Sequence, residues 1–230
     1  MKNLAIIPAR AGSKRIPKKN IKNFLGKPII AYSIENALNT GLFDEVMVST
    51  DSEEVAEIAK KYGAKVPFLR SEKTSNDFAG LFEVVEEVIK KYQDLNIIFD
   101  NVCMILATAP FITIDMLEKT YNLLIDKKYD TVFPIVKFSY PIYRALEIKN
   151  NKIHMIWSEN LTKRSQDLPE SFHDSGLFYW GNVSKIIEKN KLFTDNSYGY
   201  EISEKYSQDI DTNDDWEIAE IKYKIMKEKL

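Results

Sequence analysis

The chain has 230 residues, 44% of them hydrophobic and 29% charged, and its 32 Lys and Arg against 34 Asp and Glu leave a net charge of −2. This is the make-up of one ordinary globular domain. It excludes wholesale disorder, a coiled coil and a polyanion binder that works through bulk charge.

Leu4-Ala5-Ile6-Ile7 is an apolar run closed by Pro8, which predicts a buried first strand. Pro28 opens a helical pattern of Ile30, Ile34, Ala37 and Leu38 that Gly41 ends. Val46 to Thr50 is a second strand. Asp51 or Ser52 caps the helix after it, in which Val55, Ile58, Ala59 and Tyr62 repeat before Gly63. Leu81, Val84, Val85 and Val88 mark a third helix and Val102 to Leu106 a third strand. Met116 to Ile125 is helical, and Thr131 to Val136 is a further strand. The single cysteine, Cys103, falls in the third strand and reads as a core residue, so a disulfide framework is excluded. The two histidines, His154 and His173, are too few for a His-based metal site.

From about residue 137 to 182 the periodicity fails, and aromatics and prolines are scattered among polar residues. This reads as an arm inserted into a single domain of residues 1–230, suited to pairing two copies as a homodimer. The chain returns with Leu177-Phe178-Tyr179-Trp180. It closes on a helix with Asp214 as N-cap and Ile218, Ile221 and Ile225 facing inward. Strands alternating with helices predict an α/β fold with a doubly wound, mainly parallel sheet, and ligands then bind beyond the carboxyl ends of the strands. No apolar run reaches ~18 residues, so no membrane span is expected. The amino terminus lacks the pattern of a signal peptide. The reading is a cytoplasmic protein with neither a membrane nor a nucleic acid as partner.

The loop after the first strand carries the strongest chemical signal. Arg10, Lys14, Arg15, Lys18 and Lys19 put five cations within ten residues. Gly12 lets a ligand approach the backbone, Ser13 adds a small donor, and successive N–H groups can cradle an anion. Arg as a planar fork and Lys as a point charge together suit a triphosphate. The loop matches neither G-x-x-x-x-G-K-[ST] nor G-x-G-x-x-G, so a P-loop ATPase and a dinucleotide dehydrogenase lose support. At the other end of the chain, Asp209 and Asp211 flank Ile210. In a strand the two carboxylates project together while Ile210 turns inward, which suits either Mg²⁺ or an acidic solvated turn.

The run Ile7-Pro8-Ala9-Arg10-Ala11-Gly12-Ser13-Lys14-Arg15-Ile16-Pro17-Lys18-Lys19-Asn20 resembles the nucleotide-binding signature of the CMP-sialic acid synthetases, the cytidylyltransferases of nonulosonic acids. The likeness continues through Phe43 to Asp51, Arg70 to Ala79, Ala107-Thr108-Ala109-Pro110 and Asp209-Ile210-Asp211-Thr212. Arg164 to Pro169 with Phe172-His173-Asp174-Ser175-Gly176 resembles the branch that acts on pseudaminic acid.

The resemblance implies a Rossmann-like nucleotidyltransferase with a protruding dimerisation segment, whose substrates are CTP and a nine-carbon acidic sugar. It implies nucleotide contacts from Arg10, Ala11, Gly12, Ser13, Lys14, Lys19, Asn20, Arg70, Asp77 and Ala79. It also implies Mg²⁺ on Asp209 and Asp211, and catalytic roles for Arg10, Lys14 and Asp209. The sugar carboxylate needs a cation, for which Arg144 and Arg164 are the candidates, and Tyr143 and Phe193 are candidate packing partners. Three departures stand out. Leu81 replaces a common serine, Leu106-Ala107 replaces Gln-Pro, and the arginines at 144 and 164 are offset from the family's basic positions by about one residue. The loss of Gln favours a substrate other than N-acetylneuraminic acid.

Overall fold

The computed structural model describes residues 1–228. Eleven strands form in chain order: β1 (Asn3–Pro8), β2 (Asn23–Phe24), β3 (Lys27–Pro28), β4 (Glu45–Ser49), β5 (Asn101–Ile105), β6 (Thr131–Lys137), β7 (Leu146–Lys149), β8 (Lys152–Met155), β9 (Phe172–Asp174), β10 (Phe178–Asn182) and β11 (Ser197–Ile202). The helices are α1 (Ile29–Asn39), α2 (Glu53–Lys61), α3 (Glu72–Ser75), α4 (Leu81–Asp94), α5 (Ile114–Lys127), α6 (Val183–Lys189) and α7 (Asn213–Lys227). The main sheet has the order β11-β6-β10-β5-β1-β4, with β9 added alongside β6.

The apolar strands are buried on both faces because helices cover both. Side chains alternate along β1. Ala5 and Ile7 face one layer with α1, α2, α5 and α7, while Leu4 and Ile6 face the other with α4 and α6. Cys103 lies wholly buried in the first layer, where burial pushes its thiol pKa up, which makes it a core residue. The glycine expected to end α2 does so: Gly63 has φ +95°, a conformation that costs other residues strain.

The main sheet is mainly parallel as expected, with five of its seven strands running one way, and it differs from a wholly parallel sheet only in the reversed β9 and β10. β1 runs parallel to β4 and β5, and β11 parallel to β6, but β10 lies antiparallel between β5 and β6. The chain enters β10 directly from the 138–177 excursion, with no helical crossover to reverse it. The inward face of α7 is not the expected one. Trp216, Ala219 and Met226 are buried, whereas Ile218, Ile221 and Ile225 are exposed. The aromatic ring cluster decides this, since Trp216 and Tyr223 each pack edge-on against Phe24.

The excursion holds the β7–β8 hairpin, a separate two-stranded sheet. Ile148 pairs with Ile153 and Leu146 with Met155, so one hairpin face is apolar. Leu146, Ile148 and Ile153 on that face are exposed.

Candidate active site

A cleft of about 520 Å³ opens beyond the carboxyl ends of β1, β4 and β5. Its walls come from the loop after β1, the segment from Arg70 into α4, the turn Leu106–Thr108 and the Asp209–Asp211 segment. Four pieces remote in sequence therefore meet at the rim that the fold class predicts.

The loop after β1 is held at both ends. Ile16 is buried among core side chains, and Ala9 N–H donates to Ser49 O at 2.9 Å. Ala11 N–H donates to Asp51 Oδ1 at 2.8 Å, and Asn20 Nδ2 donates to Arg10 O at 3.0 Å. Ser52, not Asp51, caps α2, so Asp51 is committed to the loop. With the N–H groups of Ala11 and Ser13 both taken within the protein, the loop is not a full backbone cradle. Gly12 has ordinary backbone, and a Cβ there would meet only Arg10 Nη1 at 3.9 Å.

Arg10, Ser13, Lys14, Lys19 and Asn20 line the cleft, as do Arg70, Asp77 and Ala79 opposite them; Ala11 and Gly12 do not. Asp77 bonds both Arg10 and Lys14, and these donors hold its carboxyl below the usual range. Arg70 is only 8% exposed, and burial lowers its guanidinium pKa to about 10. It donates through Nε to Ser49 Oγ at 3.1 Å and through Nη2 to Ser49 O at 2.6 Å.

Asp209 and Asp211 line the same cleft, while Ile210 between them is fully buried. The in-and-out alternation holds, although the segment is irregular rather than a strand. The capping box of α7 explains its placement. Thr212 is the N-cap, not Asp214, and its Oγ1 accepts from Asp215 N–H at 3.2 Å. The Asp215 carboxylate accepts from the N–H groups of Thr212 at 2.8 Å and Asp211 at 3.1 Å. Asp211 Oδ1 takes Arg15 Nη2 at 2.7 Å and Lys19 Nζ at 3.3 Å. Lys19 Nζ also donates to Ile210 O at 2.5 Å. Cations of the loop and acids of the distant segment thus share one site. Burial of Asp209, and the charge of Asp211 near it, raise its pKa above the ordinary carboxylate value.

Among the described residues no group of three or more His, Cys, Asp or Glu could hold a metal. Two hard carboxylates in a cleft of this size fit Mg²⁺, which takes one or two protein carboxylates and fills its remaining positions with phosphate and water oxygens.

The sugar candidates lie elsewhere. Arg164 forms a fork with Asp167 at 2.7 and 2.9 Å, and Arg144 is exposed at the base of the hairpin. Tyr143 packs on Trp157 at 5.7 Å, and Phe193 lies against Phe133 at 5.5 Å and is 69% exposed. None of the four lines the cleft. His173 Nδ1–H donates to the main-chain carbonyl of Asp174 at 2.8 Å, and its ring packs on Phe138. Tyr179 on β10 has its phenol pKa pushed up by burial, with Asp174 and Asp209 close by.

Sequence reasoning missed Arg15, Thr74 and Asn76 as cleft residues. Arg15 was one of the five loop cations. Thr74 and Asn76 carried only the signal that they fall inside the Arg70–Ala79 run.

The sequence profile of the family described as Cytidylyltransferase matches residues 4–228. The pseudaminic acid cytidylyltransferase of Campylobacter jejuni serotype O:2 is 46% identical over 229 residues, 99% of each chain. The CMP-N,N'-diacetyllegionaminic acid synthase of Legionella pneumophila is 33% identical over 236 residues, covering 100% of each chain. A solved structure of CMP:2-keto-3-deoxy-manno-octonic acid synthetase complexed with CTP superimposes with a TM-score of 0.72 at 19% identity, over 100% of both chains, which bears on the fold. With its basic loop and acid pair in one cleft at the sheet rim, and a profile match along nearly its whole length, the chain belongs to the cytidylyltransferase family.

Proposed function

We propose that the protein transfers the cytidylyl group of CTP to the anomeric hydroxyl of a nonulosonic acid, with pseudaminic acid as its substrate. The sugar oxygen bonds to the α-phosphorus, the bond to the β-phosphate oxygen breaks, and pyrophosphate leaves. One observation carries the reading: Arg10 and Lys14 on one wall share a cleft with Asp209 and Asp211 on another. Full-length likeness to the Campylobacter enzyme supports the choice of sugar.

Arg10 and Lys14 neutralise charge that builds on the phosphates in the transition state. Arg15 and Lys19 brace Asp211. Asp209 and Asp211 would hold Mg²⁺, which when bound orients the phosphates and polarises the reacting oxygen. Asp209, with its raised pKa, is the candidate to receive the proton of the attacking hydroxyl. The exposed apolar face of the β7–β8 hairpin supports a homodimer in which two copies cover that face.

Incubation with CTP, Mg²⁺ and a panel of pseudaminic, legionaminic and N-acetylneuraminic acids, read as pyrophosphate release, tests the reading. The expected result is turnover with pseudaminic acid well above the other two. Turnover led by legionaminic acid would overturn the choice of sugar, and no pyrophosphate with any acid would overturn the reaction.

A further inference from the structure

The wall that faces the basic loop, from Arg70 to Leu81, belongs to no sheet. Its one regular element is α3, four residues long, and helices that short do not hold themselves together. Beside the bonds of Arg70 to Ser49 and of Asp77 to Arg10 and Lys14, a carboxylate on the neighbouring helix anchors it. Glu87, in the middle of α4, accepts through Oε1 from Ser71 N–H at 2.9 Å and from Lys91 Nζ at 2.6 Å. Its Oε2 accepts from Ser71 Oγ at 2.8 Å and from the Thr74 hydroxyl. Ser71 occupies the N-cap position of α3, yet its hydroxyl does not cap that helix and is turned to Glu87.

Burial of Glu87, whose side chain is 15% exposed, opposes its charge. The bonds from Lys91, Thr74 and Ser71 together outweigh that and bring its pKa down to about 2. The same charge, with that of Asp51, favours the protonated form of the buried Arg70. Glu87 therefore supports the wall at Ser71 and again one turn later at Thr74. It does not itself line the cleft.

We propose that Glu87 is a positioning residue for the nucleotide: it touches no substrate, and it docks the Arg70–Leu81 wall on α4 so that the wall's polar side chains face Arg10 and Lys14. This rests on the cytidylyl-transfer reading above. A wall that drifts costs affinity for CTP, whereas the loop that carries Arg10 and Lys14 is held by its own bonds to Ser49, Asp51 and Asn20.

Glu87→Ala and Glu87→Gln are compared with wild type in pyrophosphate-release kinetics, in calorimetric CTP binding without sugar and in thermal unfolding, all assays run well below the lowest Tm. Glu87→Ala should raise both the KM and the Kd for CTP by about tenfold or more while kcat stays within about threefold. The KM for the sugar should hold, and Glu87→Gln, which keeps an acceptor for Ser71 N–H, should fall in between. If Glu87→Ala folds poorly, Ser71→Ala removes one anchoring bond alone and should move the KM for CTP a few-fold in the same direction. A lowered Tm with unchanged CTP binding would overturn the proposal and leave Glu87 a purely structural residue. Wild type that binds CTP but releases no pyrophosphate would overturn the reaction assigned above, and the calorimetric comparison would still decide the role of Glu87.

Discussion

Lys14 is the most exposed member of the cationic group, with its side chain 80% exposed, and its bond to Asp77 joins two exposed groups. Such a pair adds little to stability. Its worth is electrostatic and is realised where phosphate charge builds. Lys14→Ala should therefore lower kcat by roughly 10²–10³ and leave stability within about 0.5 kcal/mol of wild type. Kinetics and a thermal melt on the same preparation read both, and near-normal turnover would remove Lys14 from the machinery. Asp77 teaches the opposite lesson about single residues. Its position in the cleft was legible from the motif, but its bonds were not, because they depend on how the loop after β1 folds back toward the Arg70 segment.

At the scale of elements, β1, β4, β5, β6 and the helices α1, α2, α4 and α5 were legible because each is an apolar run or a periodic stripe, whereas the polar-rich β11 and the short α6 gave no such signal. The face of α7 was not legible either. Ile218, Ile221 and Ile225 repeat at helical spacing, but so do Trp216, Ala219, Tyr223 and Met226, and periodicity alone does not choose between two stripes. Phe24, delivered by the short β2–β3 ladder, makes the choice through its contacts with Trp216 and Tyr223. The direction of β10 was likewise set outside its own residues, by the path of the excursion before it. That excursion also carries Arg144 and Arg164, which were chosen by charge and motif offset, and neither lines this chain's cleft. The hairpin it contains makes its own prediction. If Ile148 and Ile153 meet a second copy, the double variant Ile148→Asp, Ile153→Asp should sediment as a monomer with an unchanged far-ultraviolet spectrum, against a dimer for wild type. Wild type sedimenting as a monomer would reject the homodimer.

For the molecule as a whole, the sheet is a device for bringing sequence extremes together. β1 lies between β5 and the edge strand β4, so the loop that follows it sits on the rim beside the turn after β5. The capping box of α7 then brings Asp211 to that loop from nearly 200 residues away, where Arg15 and Lys19 receive it. The cleft's outline could be read from the two ends of the chain, because both ends carry unmistakable charge. The Glu87 anchor could not, because a glutamate on the polar side of a helix has no pattern of its own. The central claim is that cations and acids act on one triphosphate. A crystal structure with CTP and Mg²⁺ tests it most directly. The account predicts the triphosphate between Arg10 and Lys14 on one side and Asp209 and Asp211 on the other, with the metal joining the acids to phosphate oxygens. A nucleotide bound outside this cleft, or bound in it with both aspartates turned away from the phosphates, would contradict the account.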